Sequence, residues 1–363
     1  MKIAMVAGVT PSASKAGGIR SYVLGLGAAM STLGHDVLLV GSGNENREQL
    51  AAGVKYWSLG LKSDSSSLRF LYTLFRRAKH LPIADHVLHV QRPDDLVPFM
   101  VRGDVEGKFV TVHGLPQPGI KERHGSAVSA AYKFLESVAF RTADRTIVLD
   151  SVTHRELRTR HPNAASRIVR STGGVDLQKF RIRSRDEARE ALGLKNLPTV
   201  AYVGRLEIEK NVGLLIRALR HLPGTQLLIA GGGSRLCDLQ AAAAGNPAIR
   251  FLGPVPYEMI PLVLSATDVV ALPSLRESMP AICLESLACG TPVVATPVGA
   301  LPDVIQNGST GFLSDTDEAT FASNLALALD RSGSMRTACR ASVLRFGWDR
   351  VAQQVLEIYR GVG

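Results

Sequence analysis

Residues 272–299 read LPSLRESMPAICLESLACGTPVVATPVG, and their order spells strand, loop, helix, strand. Residues 269–272 are apolar and β-leaning, Pro273 and Ser274 break the strand, and the loop carries Arg276, Glu277 and Ser278. Pro280 suits the first turn of a helix, where a missing N–H costs nothing. The spacing predicts a helix over 281–289, stopped by Gly290, and a second buried strand over 292–296. On one continuous helix Glu277 and Glu285 would stand about 80° apart. With Glu277 in the preceding loop, both can face a ligand lying over the helix N-terminus, whose N–H groups and positive dipole end suit phosphate. A lone Glu in a loop or in mid-helix is ordinarily a solvated residue, so the surrounding pattern must carry the functional reading.

That pattern continues on both sides. In the second half, 199–203 predicts a strand ending in Gly204-Arg205-Leu206, followed by Glu209-Lys210-Asn211. Arg205 and Lys210, five positions apart, can converge on one diphosphate. Residues 226–230 form another strand running into Gly231-Gly232-Gly233, and 249–252 a third, leading to Val255-Pro256-Tyr257. In the first half, 2–7 predicts a strand, PSASKAGGIR a loop, 19–33 a helix and 35–40 the next strand. Gly17 and Gly18 at that helix start could cradle a phosphate or sugar. Strands over 85–91 and 109–113 end at Arg92-Pro93-Asp94-Asp95 and at His113-Gly114. Ligands in open parallel sheets gather at such carboxyl ends, so His113 and the 91–95 loop are well placed, with Arg92 and Asp94 able to meet a second substrate. A lone His after a strand is nonetheless ordinarily a structural hydrogen bonder; His89, inside its strand, reads as structural. Residues 121–123 read as a loop over the acceptor site, 128–142 as a long helix, and 144–149 as a strand.

The 272–299 run resembles the donor-sugar motif of retaining glycosyltransferases of the GT-B fold, family four: Glu, seven residues, Glu, then Ala/Cys-Gly-x-Pro-Val-Val. Glu277, Glu285, Gly290, Pro292, Val293 and Val294 match it. Val203-Gly204-Arg205-Leu206…Glu209-Lys210 resembles a second family motif, Gly17-Gly18 the N-terminal glycine loop, and Gly173-Gly174-Val175-Asp176 the interdomain Asn-Gly-Val-Asp segment, with Gly173 in place of Asn. The resemblance spans nearly the whole chain. It implies an α/β fold of two Rossmann-like domains with parallel sheets facing an interdomain cleft. The expected divisions are 1–170 for the acceptor, 171–345 for the nucleotide-sugar, and a last helix, 346–363, crossing back to the first.

The resemblance further implies retaining transfer of a sugar from a nucleoside diphosphate sugar, a UDP- or GDP-sugar, to an acceptor hydroxyl of a polysaccharide, glycolipid or lipid-linked glycan, with no metal and no cofactor. Arg205 and Lys210 would neutralise the leaving diphosphate. Glu277 would bind donor-sugar hydroxyls, Glu285 the ribose, and His113 the sugar from the other domain. Gly17, Gly18, Gly204, Gly232, Ser278, Met279, Pro280 and Ala281 would line the donor. Two other readings stay open: a nucleotide-sugar epimerase or hydrolase of the same fold, and a non-catalytic membrane-associated binding protein. A Lys-bound pyridoxal cofactor has no signature here.

Composition agrees with that class. The chain has 363 residues, 45% of them apolar, which is enough for two globular α/β domains. Lys and Arg exceed Asp and Glu by 42 − 32 = 10, favouring an anionic partner. With 6% aromatic residues and none interleaving a basic run, no nucleic acid is expected. No run reaches the roughly 18–20 apolar residues of a membrane span, and the N-terminus reads as a strand and not as a signal peptide. A cytoplasmic location is expected, with Cys237, Cys283, Cys289 and Cys339 as buried free thiols. Residues 66–81 form a basic amphipathic helix with Leu68, Leu71, Leu74 and Phe75 as its apolar face. It packs on the sheet or, peripherally, lies on an anionic membrane surface. The run 181–189 reads as a solvated linker or helix start. Asp315-Thr316-Asp317 resembles a metal–diphosphate triplet but sits where a helix cap belongs.

Overall fold

The computed structural model describes residues 1–11, 17–43, 53–62, 65–115 and 117–361 and, between 117 and 124, the backbone alone. Residues 12–16 of the predicted glycine-loop segment lie outside the described residues. The chain divides into two compact units, 1–174 with 348–363, and 175–347.

The first unit is built on strands β1 (Lys2–Val6), β2 (Asp36–Gly41), β3 (Lys55–Ser58), β4 (Val87–Val90), β5 (Gly107–Val112), β6 (Arg145–Val148) and β7 (Ile168–Arg170), in spatial order β3-β2-β1-β4-β5-β6-β7. Every described pairing is parallel. Strands such as Val87–Val90 are buried at every position, as a sheet covered by helices on both faces requires. Helix Gly18–Thr32 follows β1. The last helix, Trp348–Arg360, packs within this unit: the Tyr359 hydroxyl is hydrogen-bonded to His89 Nδ1 at 2.6 Å, and a Cβ on Gly25 would lie 2.2 Å from the Trp348 indole. His89 is therefore structural, with Thr111 Oγ1 on its other nitrogen at 2.7 Å, and burial pushes its imidazole down to about 3.

Helix Ser151–Arg160 opens at Asp150, whose carboxylate accepts from the Thr153 amide at 2.6 Å and its hydroxyl at 2.8 Å. Asp150 is fully buried, so Asp150→Ala is expected to cost about 1–2 kcal/mol of stability, read as a fall in the urea midpoint at unchanged slope.

Two expectations change here. Helix Ser67–Arg77 buries Phe70, Leu71 and Leu74, while Leu68, Tyr72 and Phe75 are exposed. The sheet takes the stripe centred on Phe70, one step around from the predicted one. Residues 121–123, expected in a loop, belong to the helical segment Gln117–Thr142, which is interrupted at Gly125 (φ 82°, ψ 177°). Only glycine adopts that conformation readily, so Gly125 divides the observed segment into two arms, the second of which contains the helix predicted over 128–142.

The second unit holds β8 (Thr199–Val203), β9 (Gln226–Ala230), β10 (Ile249–Gly253), β11 (Val269–Leu272), β12 (Val293–Ala295) and β13 (Gly311–Leu313), in spatial order β10-β9-β8-β11-β12-β13. All described pairings are again parallel. The order of connection reverses between β8 and β11, which is where open α/β sheets gather ligands at their carboxyl ends. Helix Glu318–Ser342 is capped by Asp317, which accepts from the Thr320 amide at 2.9 Å, so the Asp-x-Asp triplet is a helix cap. The run 181–189 is not solvated throughout. Helix Arg185–Ala191 buries Arg189, whose guanidinium reaches Asp268 at 2.6 Å. Cys283, Cys289 and Cys339 are buried free thiols, but Cys237 is exposed.

Candidate active site in the second unit

The carboxyl ends of β8 and β11 lie side by side at the reversal point. After β8, Gly204 (φ 158°) lets the chain turn, and the Tyr202 hydroxyl donates to the Arg205 carbonyl at 2.6 Å. Burial pushes the Tyr202 phenol up, with the Glu277 charge adding to it, so the hydroxyl stays a donor. The chain then forms the tight turn Ile208–Lys210, closed by Asn211 in the left-handed region (φ 50°). After β11, the Leu275 amide donates to the Glu209 carbonyl at 2.8 Å, tying one loop to the other.

Across this junction Lys210 Nζ lies 2.6 Å from Glu277 Oε1. The Ser274 hydroxyl donates to the same oxygen at 2.8 Å. Only 15% of the Lys210 side chain and 11% of Glu277 are exposed, so each charge depends on the other. Arg205 is different: it is 63% exposed and paired with Glu209 at 3.2 Å. Arg205 and Lys210 thus stand on one loop, each on its own carboxylate.

Helix Ala281–Ala288 begins directly after this loop, with Pro280 as N-cap and no side chain capping it. The Cys283 amide donates to the Pro280 carbonyl at 3.0 Å, and this end of the helix carries the positive pole of its dipole. Met279 packs against the core beneath. Glu285, 6% exposed, lies four residues into the helix and accepts from the Tyr257 hydroxyl at 2.9 Å. Burial pushes its carboxyl up to about 7, against the pull of the Tyr257 hydrogen bond and the Lys179 charge.

Two supports escape the sequence reading. Gly299 (φ 58°) turns the chain back so that the Ala300 amide donates to the Ser278 carbonyl at 2.6 Å, and a Cβ there would lie 2.4 Å from that oxygen. Gly299 therefore fixes the height of the Glu277–Ser278 backbone. Among the three glycines after β9, the steric demand falls on Gly231 and Gly233. Their added Cβ atoms would meet the Gly204 carbonyl at 1.8 Å and the Leu206 carbonyl at 2.4 Å, whereas Gly232 has only Pro254 nearby at 3.4 Å. Gly232 contributes its carbonyl, which accepts from the Leu206 amide at 2.9 Å. A positive φ or a short Cβ contact leaves no trace in a run of identical letters.

The remaining predicted residues lie in the first unit. Gly17 is the N-cap of helix Gly18–Thr32, and among the described residues none brings an atom within 4 Å of a Cβ added at Gly17 or Gly18. His113 follows β5. The Gln91 amide oxygen only accepts, so His113 Nε2–H donates to it at 2.9 Å; the Tyr22 ring meets the imidazole edge-on at 4.9 Å. Burial pushes the His113 imidazole down to about 3, leaving it neutral at any working pH. Arg92 is paired with Asp94, which is itself buried, and the neighbouring Asp95 is fully buried with neither carboxylate oxygen hydrogen-bonded. Burial raises the Asp95 carboxyl well above the usual carboxylate range, with the Asp94 charge adding to it and the Arg92 charge opposing. No group of three or more His, Cys, Asp or Glu among the described residues could hold a metal ion.

Comparison with known proteins adds to this geometry. Residues 16–179 match the family model described as Glycosyltransferase Family 4, and residues 184–342 that of Glycosyl transferases group 1. The chain is similar to the D-inositol 3-phosphate glycosyltransferase of Mycolicibacterium smegmatis, 36% identical over 228 residues, which is 60% of this chain and 52% of that protein. It spans about half the length of the curated relatives it matches. Among solved structures it resembles sucrose-phosphate synthase from Thermosynechococcus elongatus (TM-score 0.84, 22% identity, 99% of this chain and 98% of that one). It also resembles Anabaena HepE in complex with UDP and glucose (TM-score 0.77, 19% identity, 98% of each chain). The chain therefore has the GT-B fold, its first half matched by the Glycosyltransferase Family 4 model and its second by Glycosyl transferases group 1.

Proposed function

We propose that this chain is a glycosyltransferase that moves a sugar, with retained anomeric configuration and without a metal, from a UDP- or GDP-sugar to an acceptor hydroxyl. The observation that carries this reading is the Lys210–Glu277 pair at the sheet reversal point, directly before an uncapped helix N-terminus. The names of the relatives, and the UDP bound by HepE, support it.

In this mechanism negative charge grows on the diphosphate as the glycosidic bond breaks. The N–H groups at Ala281 stabilise it as fixed dipoles, and Lys210 and Arg205 add their charge once they leave Glu277 and Glu209. The phosphate draws Lys210 away from Glu277, and Glu277 turns to the donor-sugar hydroxyls. Glu285 takes the ribose hydroxyls. The leaving phosphate receives the acceptor proton as the acceptor oxygen attacks the same face of the sugar. The test is anomeric NMR of the first product formed from UDP-glucose or GDP-mannose with a panel of acceptors that includes an inositol phosphate and lipid-linked glycans. An axial donor giving an axial product agrees with the proposal. An inverted product contradicts it, and donor consumed at the same rate without acceptor points to a hydrolase or epimerase.

We also propose that acceptors reach the protein at an anionic membrane surface. Helix Ser67–Arg77 leaves Leu68, Tyr72 and Phe75 exposed beside Arg69, Arg76 and Arg77, an apolar stripe with a basic margin. No helix of the described residues is long and apolar enough to cross a membrane. The double variant Leu68→Ser/Phe75→Ser is expected to weaken binding to vesicles with 30% anionic lipid by about tenfold, from lost apolar burial, as read by co-sedimentation. Equal binding to purely zwitterionic vesicles would contradict the charge component.

A further inference from the structure

We infer that Tyr257 and Lys179 are positioning residues for the donor, holding Glu285 in its charged, hydrogen-bond-accepting form and so setting the acidic limit of donor binding. The inference rests on the reading of Glu285 as the ribose contact and extends it to two residues outside the donor motif.

A carboxylate this far from water is costly unless it is bonded. Tyr257, in the turn Tyr257–Met259 that follows β10, supplies that bond at 2.9 Å. Its ring is held in turn. Lys179 Nζ lies 3.9 Å from the ring centroid, and Phe180 meets the ring edge-on at 5.7 Å. Lys179 is fixed by its own backbone: the Asp176 carboxylate accepts from the Gln178 and Lys179 amides, each at 2.9 Å. The links run from the Asp176 turn to Lys179, to the Tyr257 ring, through its hydroxyl, to Glu285. A cation on the face of a phenol makes its hydroxyl a stronger donor, and the same charge attracts the carboxylate.

Burial raises Glu285 to about 7, while the Tyr257 hydrogen bond and the Lys179 charge act downward. The other titratable group beside it is Cys289 on the same helix, a thiol that burial pushes up to about 12 and that stays neutral. Arg183 and Arg340 act on Cys289, and Glu258, next to Tyr257, is exposed. A ribose diol offers two donors, which a carboxylate accepts together and a protonated acid does not. Donor binding below the Glu285 midpoint therefore costs a deprotonation, and affinity falls as pH drops through it. Removing either helper raises the midpoint above about 7 and moves that fall to the alkaline side of neutrality.

The test follows the Glu285 carboxyl directly, by 13C NMR of the glutamate-labelled, ligand-free full chain, with Glu285→Gln to assign the signal. Alongside, Kd for UDP-glucose and GDP-mannose is measured from pH 6 to 9. In Tyr257→Phe and Lys179→Met the midpoint is expected to rise by about one unit. Affinity at pH 7 is then expected to fall several-fold, up to about tenfold, and to return towards the wild-type value at pH 9. Lys179→Arg, which keeps the cation, should restore the wild-type profile. An unmoved midpoint in both variants overturns the inference whatever the donor does. A moved midpoint with an unchanged pH profile of affinity, in a wild type that binds donor, overturns the positioning role. A wild type that binds neither donor overturns the donor reading beneath it, which the carboxyl titration distinguishes from the first case.

Discussion

Lys210→Ala is expected to lower kcat by about 10²–10³-fold, the usual loss when one preorganised donor to a developing anion is removed. It should also destabilise the second unit. The Glu277 carboxylate, 11% exposed, would lose the ammonium that now lies 2.6 Å from it while still accepting from the Ser274 hydroxyl. Breaking such a pair on one side costs about 3–5 kcal/mol, because the remaining charge stays buried without its partner. The two effects separate in the double variant Lys210→Ala/Glu277→Gln, which removes both charges. Stability, read from the urea midpoint, should recover in it, while kcat stays low because the diphosphate still lacks its ammonium. If the double variant regained activity along with stability, Lys210 would matter for the fold and not for the leaving group.

Asp268→Ala is expected to be among the most damaging single changes for stability, again by about 3–5 kcal/mol. Asp268 is 6% exposed and stands at the entry to β11. It accepts from Arg189 at 2.6 Å and from the Thr199 amide at 2.7 Å, and Arg185 forms an ion pair with it at 2.5 Å. Arg189, 8% exposed, spends its other donors on the Ala266 and Leu197 carbonyls and on Asn196. Deleting Asp268 would leave these guanidinium groups without a counter-charge and release the first amide of β8. Chemical denaturation checks the size. Replacing Arg189 and Asp268 together by apolar residues of similar volume should cost less than Asp268→Ala alone. Activity per folded molecule should be unchanged, since Asp268 is at the amino end of its strand and the Lys210–Glu277 pair follows the carboxyl ends.

That arginine clamp marks a limit of what the sequence can show. Alternating charges over 181–189 look like a solvated face, and nothing nearby in the chain reveals a partner 79 positions away. The strands, by contrast, were legible because parallel strands covered on both faces are continuous apolar runs, and 269–272 and 293–295 came out as strands within a residue or two of the expected ends. The helix between them was equally plain from Pro280 and Gly290. On Ser67–Arg77, periodicity marked a helix but not which stripe would meet the sheet, because Leu68, Phe70 and Phe75 are all apolar and only packing chooses among them. At the site, the family resemblance singled out Glu277, Glu285, Arg205 and Lys210, which spacing alone would leave as ordinary loop and helix residues. Their mutual arrangement was hidden: Lys210 on Glu277, Arg205 on Glu209, and Tyr257 on Glu285 are contacts made by the sheet's connectivity. Gly299, which props the Glu277 backbone, is visible only through its φ and the carbonyls a side chain would strike.

The central claim is that the Lys210–Glu277 junction and the helix after it hold a nucleoside diphosphate sugar. Its most direct test is isothermal titration of UDP-, GDP-, ADP- and TDP-sugars into the wild-type chain and into Arg205→Ala and Lys210→Ala/Glu277→Gln. Binding of one nucleotide class by the wild type, weakened at least tenfold in both variants while their folds persist, is the predicted result. Undiminished binding in the variants, or none by the wild type with any of the four, would contradict it.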